Sequence, residues 1–191
     1  MGKIVVSEFL SLDGVMEDPG GAEGFKHGGW SFRFRDPDGM SFKLEETLGH
    51  EALLLGRVTY EGFAAAWPSM TDEVGFAEKM NSMPKFVVSG TLTELAWNNS
   101  RLISQNVAAE IRALKDATAG DILVAGSATL VQTLIAHGLV DELRLMVFPI
   151  ILGAGKRLFG EHAEPSIFEL IESRTLLSGT VILTYRPAPV P

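Results

Sequence analysis

Two stretches of this sequence repeat one chemical pattern. Leu54-Leu55-Gly56-Arg57-Val58-Thr59 and Val124-Ala125-Gly126-Ser127-Ala128-Thr129 each run from an apolar block through glycine into residues with helical spacing. A glycine at such a junction lets a ligand come close to the backbone. The helix after it offers unpaired N–H groups and the positive end of its dipole. Phosphate oxygens suit that arrangement. Thr59, Ser127 and Thr129 add hydroxyl donors, and Arg57 adds a planar fork that grips a phosphate with two hydrogen bonds. Two junctions suit a ligand with two separated phosphate groups, and Ser89-Gly90-Thr91 offers more donors after another apolar block. Taken singly, each junction also reads as ordinary strand-to-helix loop geometry; the repetition and Arg57 favour the ligand.

Other chemistries lack their residues. Gly153-Ala154-Gly155-Lys156-Arg157-Leu158 has no third glycine for the dinucleotide fingerprint and no Ser or Thr after the lysine for a phosphate-binding Walker loop. No Gly-x-Ser-x-Gly elbow exists for a hydrolase serine. His27, His50, His137 and His162 are scattered with no i, i+4 pair, and there are no cysteines, so no metal site, disulfide or thiol nucleophile is expected. Lys+Arg number 16 against Asp+Glu 24, a net charge of -8, which argues against nucleic acid as a partner. No apolar run reaches the roughly 18 residues of a membrane span. Met1-Gly2-Lys3 runs directly into Ile4-Val5-Val6 and then Glu8, unlike a secretory leader, so a cytoplasmic protein is expected.

The junctions need elements to hold them. Ile4–Leu12, Ala52–Leu55, Lys85–Val88 and Ile122–Ala125 read as strands, mostly unbroken apolar blocks of the kind a parallel sheet buries on both faces. Glu142–Pro149 is half alternating, with Leu143, Leu145 and Val147 against Arg144, Met146 and Phe148. Arg174–Leu177 and Thr180–Arg186 read as a hairpin about a two-residue Ser178-Gly179 turn. Helices are expected on the Met40/Leu44/Leu48 face, over Thr59–Ala66, after Asn106 and after Ser127, the last two residues as caps. Residues 17–39 read as a long loop over a site, since Phe25, Trp30 and Phe32 would not sit free in water. The expected architecture is one α/β domain over residues 1–191, with 46% hydrophobic residues to build its core. Its central sheet is mainly parallel, flanked by helices, and closes in an antiparallel C-terminal hairpin.

A set of segments then falls in a telling order. Ser11-Leu12-Asp13-Gly14, Gly56-Arg57-Val58-Thr59-Tyr60-Glu61, Val87-Val88-Ser89 and Gly126-Ser127-Ala128 are followed by Val140-Asp141-Glu142-Leu143 and Pro149-Ile150-Ile151-Leu152-Gly153-Ala154-Gly155. Together they resemble the dihydrofolate reductase-like family, in the form of the reductase (RibD C-terminal) domain of bacterial riboflavin biosynthesis, over about residues 3–186. The resemblance implies a dihydrofolate reductase-like fold that binds NADPH and passes hydride to a pteridine-, pyrimidine- or flavin-like ring. Carried over, Gly56, Arg57 and Thr59 would hold the adenosine side, with Arg57 and Ser89 near the 2′-phosphate. Gly126, Ser127, Ala128, Thr129 and Leu130 would cradle the pyrophosphate. Leu12, Gly14 and Val15 would lie against the nicotinamide, and Trp30, Pro149 and Gly153 would line the substrate side.

One family feature has no counterpart. Dihydrofolate reductases carry a carboxylate on the first long helix that fixes and protonates the pterin. Spacing from Gly56 puts Met40 there, with Asp38, Glu45 and Glu46 nearby. Asp13 is the next candidate for the catalytic acid, against a plain role as the turn residue before Gly14. Lys156-Arg157 could meet a substrate phosphate or stay a solvated pair. The expectation is an NADPH-dependent reductase of a small heterocycle. The alternative is a non-catalytic dinucleotide-binding module, which the missing helix carboxylate favours. A homodimer is expected in either case, through the apolar Leu145–Leu152 segment.

Overall fold

The structure, a computed structural model, describes residues 1–160 and 165–189. Along the chain its elements are β1 (Ile4–Ser11), α1 (Pro37–Gly49), β2 (Ala52–Gly56), α2 (Arg57–Ala66), α3 (Phe76–Ser82), β3 (Lys85–Val88), β4 (Ser100–Ile103), α4 (Val107–Ala117), β5 (Ile122–Val124), α5 (Ala128–Ala136), β6 (Glu142–Phe148), β7 (Phe168–Thr175) and β8 (Val181–Pro187). The strands form one sheet in the order β4-β3-β2-β5-β1-β6-β8-β7. All pairings from β4 to β6 are parallel, and β8 runs antiparallel to both β6 and β7. This is the mainly parallel sheet with an antiparallel C-terminal hairpin that the sequence pattern calls for.

The unbroken apolar blocks sit where both faces are covered: every residue of β2 and β5 is buried. Ile111 and Leu114 of α4 and Leu130, Val131 and Leu134 of α5 close one face over Ile4, Val6, Leu54 and Val124. Tyr60 of α2 and Met80 of α3 close the other over Val5, Leu53, Leu55 and Val87. On that second face, towards the hairpin, Trp30, Met146, Phe148, Leu176 and Ile182 form a separate aromatic core.

Several expectations are corrected. β4 and α3 carry no strong sequence signal: β4 is a half-exposed edge strand, and α3 has only 7 residues. The hairpin's first arm begins at Phe168 rather than Arg174, and Leu176 N–H bonds to Thr180 across a three-residue tip whose Gly179 has φ 83. A left-handed residue at that point lets the longer tip follow the strand twist, so the two-residue turn is not used. Residues 17–39 are not loop throughout: a 3₁₀ turn spans Trp30–Phe34, and α1 starts at Pro37 behind the Asp36 cap, whose carboxylate accepts from Asp38 N at 2.9 Å. Phe32 is 54% exposed, so not every aromatic of that stretch is sheltered.

The apolar stripe of α1 faces outward, with Met40 at 68% and Leu48 at 46% exposure. The buried stripe is Gly39, Glu46, Thr47 and His50. Charge pairing beneath the helix and a close approach at Gly39 outweigh the hydrophobic pattern; a Cβ there would stand 3.1 Å from Leu176 Cδ1. Of the Leu145–Leu152 segment expected to form a dimer contact, the strand part is covered within the protomer: β6 lies between β1 and β8 with Leu145, Met146 and Phe148 buried, and Ile151, past the strand, is the segment's large exposed apolar side chain.

Candidate functional site

The sheet divides at its carboxyl edge. β1 pairs with β5 only as far as Val6↔Val124, while it stays on β6 through Ser11↔Phe148. Past Val6 the chain after β5 turns away into Gly126 and α5. An open parallel sheet binds ligands outside the carboxyl ends of strands where neighbours diverge. The β1–β5 split is such a place.

Both predicted junctions border it, and they touch. Gly56 N–H bonds to Gly126 O at 3.1 Å. A Cβ on Gly56 would meet Ser127 Oγ at 2.3 Å, and one on Gly126, whose φ is 102, would meet Thr59 Oγ1 at 2.5 Å. Each glycine is therefore required by the hydroxyl residue of the other junction. Ser127 stands at the first position before α5 but its side chain does not cap the helix, and α2 has no side-chain cap either. The leading amides of both helices stay available for an anion. Ala128 and Leu130 are buried beneath the turn, and Thr129 faces solvent. Arg57 sits half exposed beside this edge with its guanidinium on Glu61 at 2.9 Å. Ser89, at the end of β3, is buried and its hydroxyl accepts from Thr91 and Leu92 N–H, so it holds its own turn.

The turn after β1 and the segment after β6 are laced together. Leu12 N–H bonds to Ile150 O, Met16 N–H to Lys156 O and Leu158 N–H to Gly14 O. Asp13 fastens them: its carboxylate accepts from Leu152 N at 3.1 Å and Gly153 N at 2.9 Å. The Ser11 hydroxyl at 2.7 Å, helped by those two amides, lowers the Asp13 carboxyl from 3.8 to about 2. Gly14, with φ 77, and Gly153, with φ 73, make the reversals that bring the two segments face to face. Val15 is buried, Leu12 is 60% exposed, and Pro149 lies on the surface. Trp30 is not open to solvent: it is 1% exposed, donates Nε1–H to Glu17 O at 2.8 Å and packs edge-on against Phe148 at 5.3 Å. It forms the back of the aromatic core beside the split.

Two ionisable groups take a place the sequence reading did not give them, Glu8, which it passed over, and Glu46, which it named only as a neighbour of Met40. Glu8, continuing the β1–β5 register, stands level with Gly126 on the α5 side of the sheet. It is 5% exposed and its Oε1 has no hydrogen-bond partner among the described residues. Burial raises its carboxyl from 4.5 to about 8, against the pull of Lys43 and the Gly126 backbone N–H. It holds a proton at neutral pH. The available signal was a lone carboxylate in an otherwise buried strand. The second is Glu46, on the inner face of α1, paired with Lys43 and with Arg144 at 3.2 Å. Burial alone would raise its carboxyl, but Lys43 and then Arg144 hold it below the ordinary value. The helix does carry a buried carboxylate, ionised and engaged. Met40, at the spacing-derived position, points to solvent.

Among the described residues no group of three or more His, Asp or Glu is placed to hold a metal, and no helix is long and apolar enough to cross a membrane. His162 lies outside the described residues.

A family model described as the RibD C-terminal domain matches residues 2–182. The chain belongs to this family. An uncharacterized protein of Bacillus subtilis (strain 168), YyaP, is 30% identical over 187 residues, 96% of this chain and 94% of that one. Among solved structures, a Shewanella sp. PV-4 protein provisionally assigned to riboflavin biosynthesis superposes with a TM-score of 0.71 at 25% identity, covering 99% of this chain and 100% of that one. A dihydrofolate reductase of Enterococcus faecalis, complexed with NADP(H) and RAB-propyl, gives 0.62 at 16% identity over 98% of each chain. The family thus shares the dihydrofolate reductase-like fold, and the expectation drawn from the ordered motifs holds at the level of family and fold.

Proposed function

We propose that this protein is an NADPH-dependent reductase that transfers hydride to a small heterocycle of pteridine, pyrimidine or flavin type. The observation that carries this reading is the β1–β5 split, flanked by two glycine junctions whose helices keep their leading amides free. Membership of the RibD C-terminal domain family and a fold shared with an NADP(H)-complexed reductase support it. The residues fit the cofactor's chemistry: Gly126 to Leu130 offer amides and hydroxyls to a pyrophosphate, and Gly56, Arg57 and Thr59 form the adenosine side. Arg57 need only leave an exposed pair with Glu61, worth about 0.2–1 kcal/mol, to take a 2′-phosphate. NADPH bound there supplies the hydride.

The protein's own part is orientation and a proton. Asp13 is assigned as the clasp that sets Leu12–Val15 against Pro149–Gly153, because an acid held near 2 does not donate at neutral pH. Glu8, level with Gly126 and protonated at neutral pH, is assigned as the group that holds a proton at the split. One observation favours the second reading, a non-catalytic dinucleotide-binding module: both Asp13 and the helix carboxylate Glu46 are held ionised.

Thermal shift with NADPH and NADH tests binding first. A ligand at a hundredfold over its Kd stabilises by about 2.7 kcal/mol, and NADPH should give the larger shift. No shift with either removes both readings. A shift with no NADPH oxidation, across dihydrofolate, flavin and aminopyrimidine substrates, leaves the binding module. The homodimer belongs to both readings, and sedimentation as a monomer at micromolar concentration would remove it.

A further inference from the structure

The two edges of the sheet are built differently. β4, at one end, has 4 residues, too short to offer a second chain much to pair with. β7, at the other, has 8 residues and lies last in the sheet, with β8 as its neighbour among the described strands. Leu170 to Thr175 are all exposed, and Leu170 and Ile171 hold large apolar side chains in solvent there. Along such an edge the outward backbone N–H and C=O groups have no partner strand.

β7 carries one irregularity. Leu170 stands opposite Tyr185 and Glu172 opposite Thr184, so Ile171 is an extra residue, a bulge that resets the alternation of faces. Glu169, Glu172 and Arg174 thereby share one face with Arg186, Thr184 and Ile182, the face on which Arg174 meets Asp38 of α1 at 3.0 Å. Phe168, Leu170, Ser173 and Thr175 share the other face with Pro187, Tyr185, Leu183 and Val181.

That arrangement is self-complementary. Laid antiparallel along its own full length, β7 puts Phe168 opposite the partner's Thr175, Glu169 opposite the partner's Arg174 and Leu170 opposite the partner's Ser173. A regular strand of 8 residues would join opposite faces in these pairs, because faces alternate at every residue. With the bulge at Ile171, all three pairs lie on matching faces. The charges match too: a glutamate meets an arginine on each side of the twofold axis. Sliding the copy so that Glu172 falls on the axis, or Glu169 opposite Glu172, sets like charges against each other instead.

We propose that β7 is the docking surface for a second copy of this chain, paired antiparallel about a twofold axis between Ile171 and Glu172. The two sheets then continue into one, and the contact is isologous and closes at two copies. Leu170 and Ile171 fall next to the axis, where pairing takes most water from them. The inference rests on the homodimer of the preceding reading and places its contact on β7 instead of Leu145–Leu152.

Sedimentation equilibrium of the full chain tests this with two charge reversals. Wild type should be a dimer at micromolar concentration. Glu169→Arg sets guanidinium against guanidinium at both pairs, and Arg174→Glu sets carboxylate against carboxylate. Each should raise the dimer dissociation constant about tenfold or more, near 1.4 kcal/mol. Each gives up one exposed ion pair, with Arg186 or with Asp38, so the fold is kept. Mixed in equal amounts, the two variants should dimerise with each other at close to wild-type affinity, since opposite charges then face at both pairs. No loss of stability mimics that rescue. Single variants that dimerise as tightly as wild type overturn this interface and keep the homodimer; a mixture that stays monomeric also overturns it. A monomeric wild type overturns both and leaves the edge to a strand of another protein.

Discussion

At the carboxyl edge of the parallel strands the chain keeps its side chains small and its backbone donors free. Beneath α1 it gathers charges and pairs them. The first region is built from Gly56, Gly126 and uncapped helix ends, and its one cation, Arg57, is tied to Glu61 only by an exposed contact. The second is built from Lys43, Glu46, Arg144 and Glu142, and Glu46 is buried there between two cations. Free donors at the strand ends await an anion, whereas buried paired charges fix the position of a helix. The difference teaches that a buried charge in this fold marks structure more than chemistry, whereas Glu8, buried as deeply, stays protonated and uncharged.

Breaking the paired region should have the largest effect. Glu46→Gln leaves Lys43 and Arg144 short of a counter-charge and should cost about 3–5 kcal/mol in urea unfolding near neutral pH. The sign with pH follows from its lowered carboxyl. Its contribution is present above the ordinary value of 4.5 and is lost as pH falls through the depressed one, so wild type and variant should converge in acid. A small, pH-independent loss would mean the network holds nothing.

Glu8 should behave in the opposite sense. Between 4.5 and about 8 the folded protein keeps a proton that the unfolded chain has released, so wild-type stability falls as pH rises through that window. Glu8→Gln removes the dependence and should gain on wild type by up to about 1.4 kcal/mol per pH unit there. Parallel stability curves for the two proteins would show that Glu8 is ionised when folded, and would withdraw it as a proton holder.

The free-donor region should lose less stability and more binding. Gly126→Ala meets both a left-handed φ of 102 and Thr59 Oγ1, for roughly 2 kcal/mol of destabilisation. It should also abolish the NADPH-induced thermal shift. Retention of that shift would show that the junction is packing alone. Arg57→Ala, the smallest effect, should leave folding unchanged and weaken NADPH about tenfold, near 1.4 kcal/mol, without affecting NADH. Equal weakening of both would refute the 2′-phosphate assignment.

Much of this was legible beforehand, for identifiable reasons. β2 and β5 announced themselves because residues buried on both faces must be apolar throughout, and the sheet's parallel sense followed from the alternation with helices. Both junctions were readable because glycine at a strand end is a local signal. Asp13 was legible as a position but not as a role: its partners, Leu152 and Gly153, lie about 140 residues away. The face of α1 was misleading, because periodicity weighs Met40 and Leu48 but not the cations waiting under Glu46. Glu8 was hidden by the same limit, since the burial that shifts a carboxyl comes from tertiary packing around it and not from its own strand.

The sequence by itself determined the class of fold, the family and the two glycine junctions, since these rest on residue type and local spacing. Tertiary structure alone decided where the sheet splits, which carboxyl keeps its proton and which carboxylate becomes a clasp. Those properties depend on distances between residues remote in the chain and on the loss of water around them, and no local pattern encodes either.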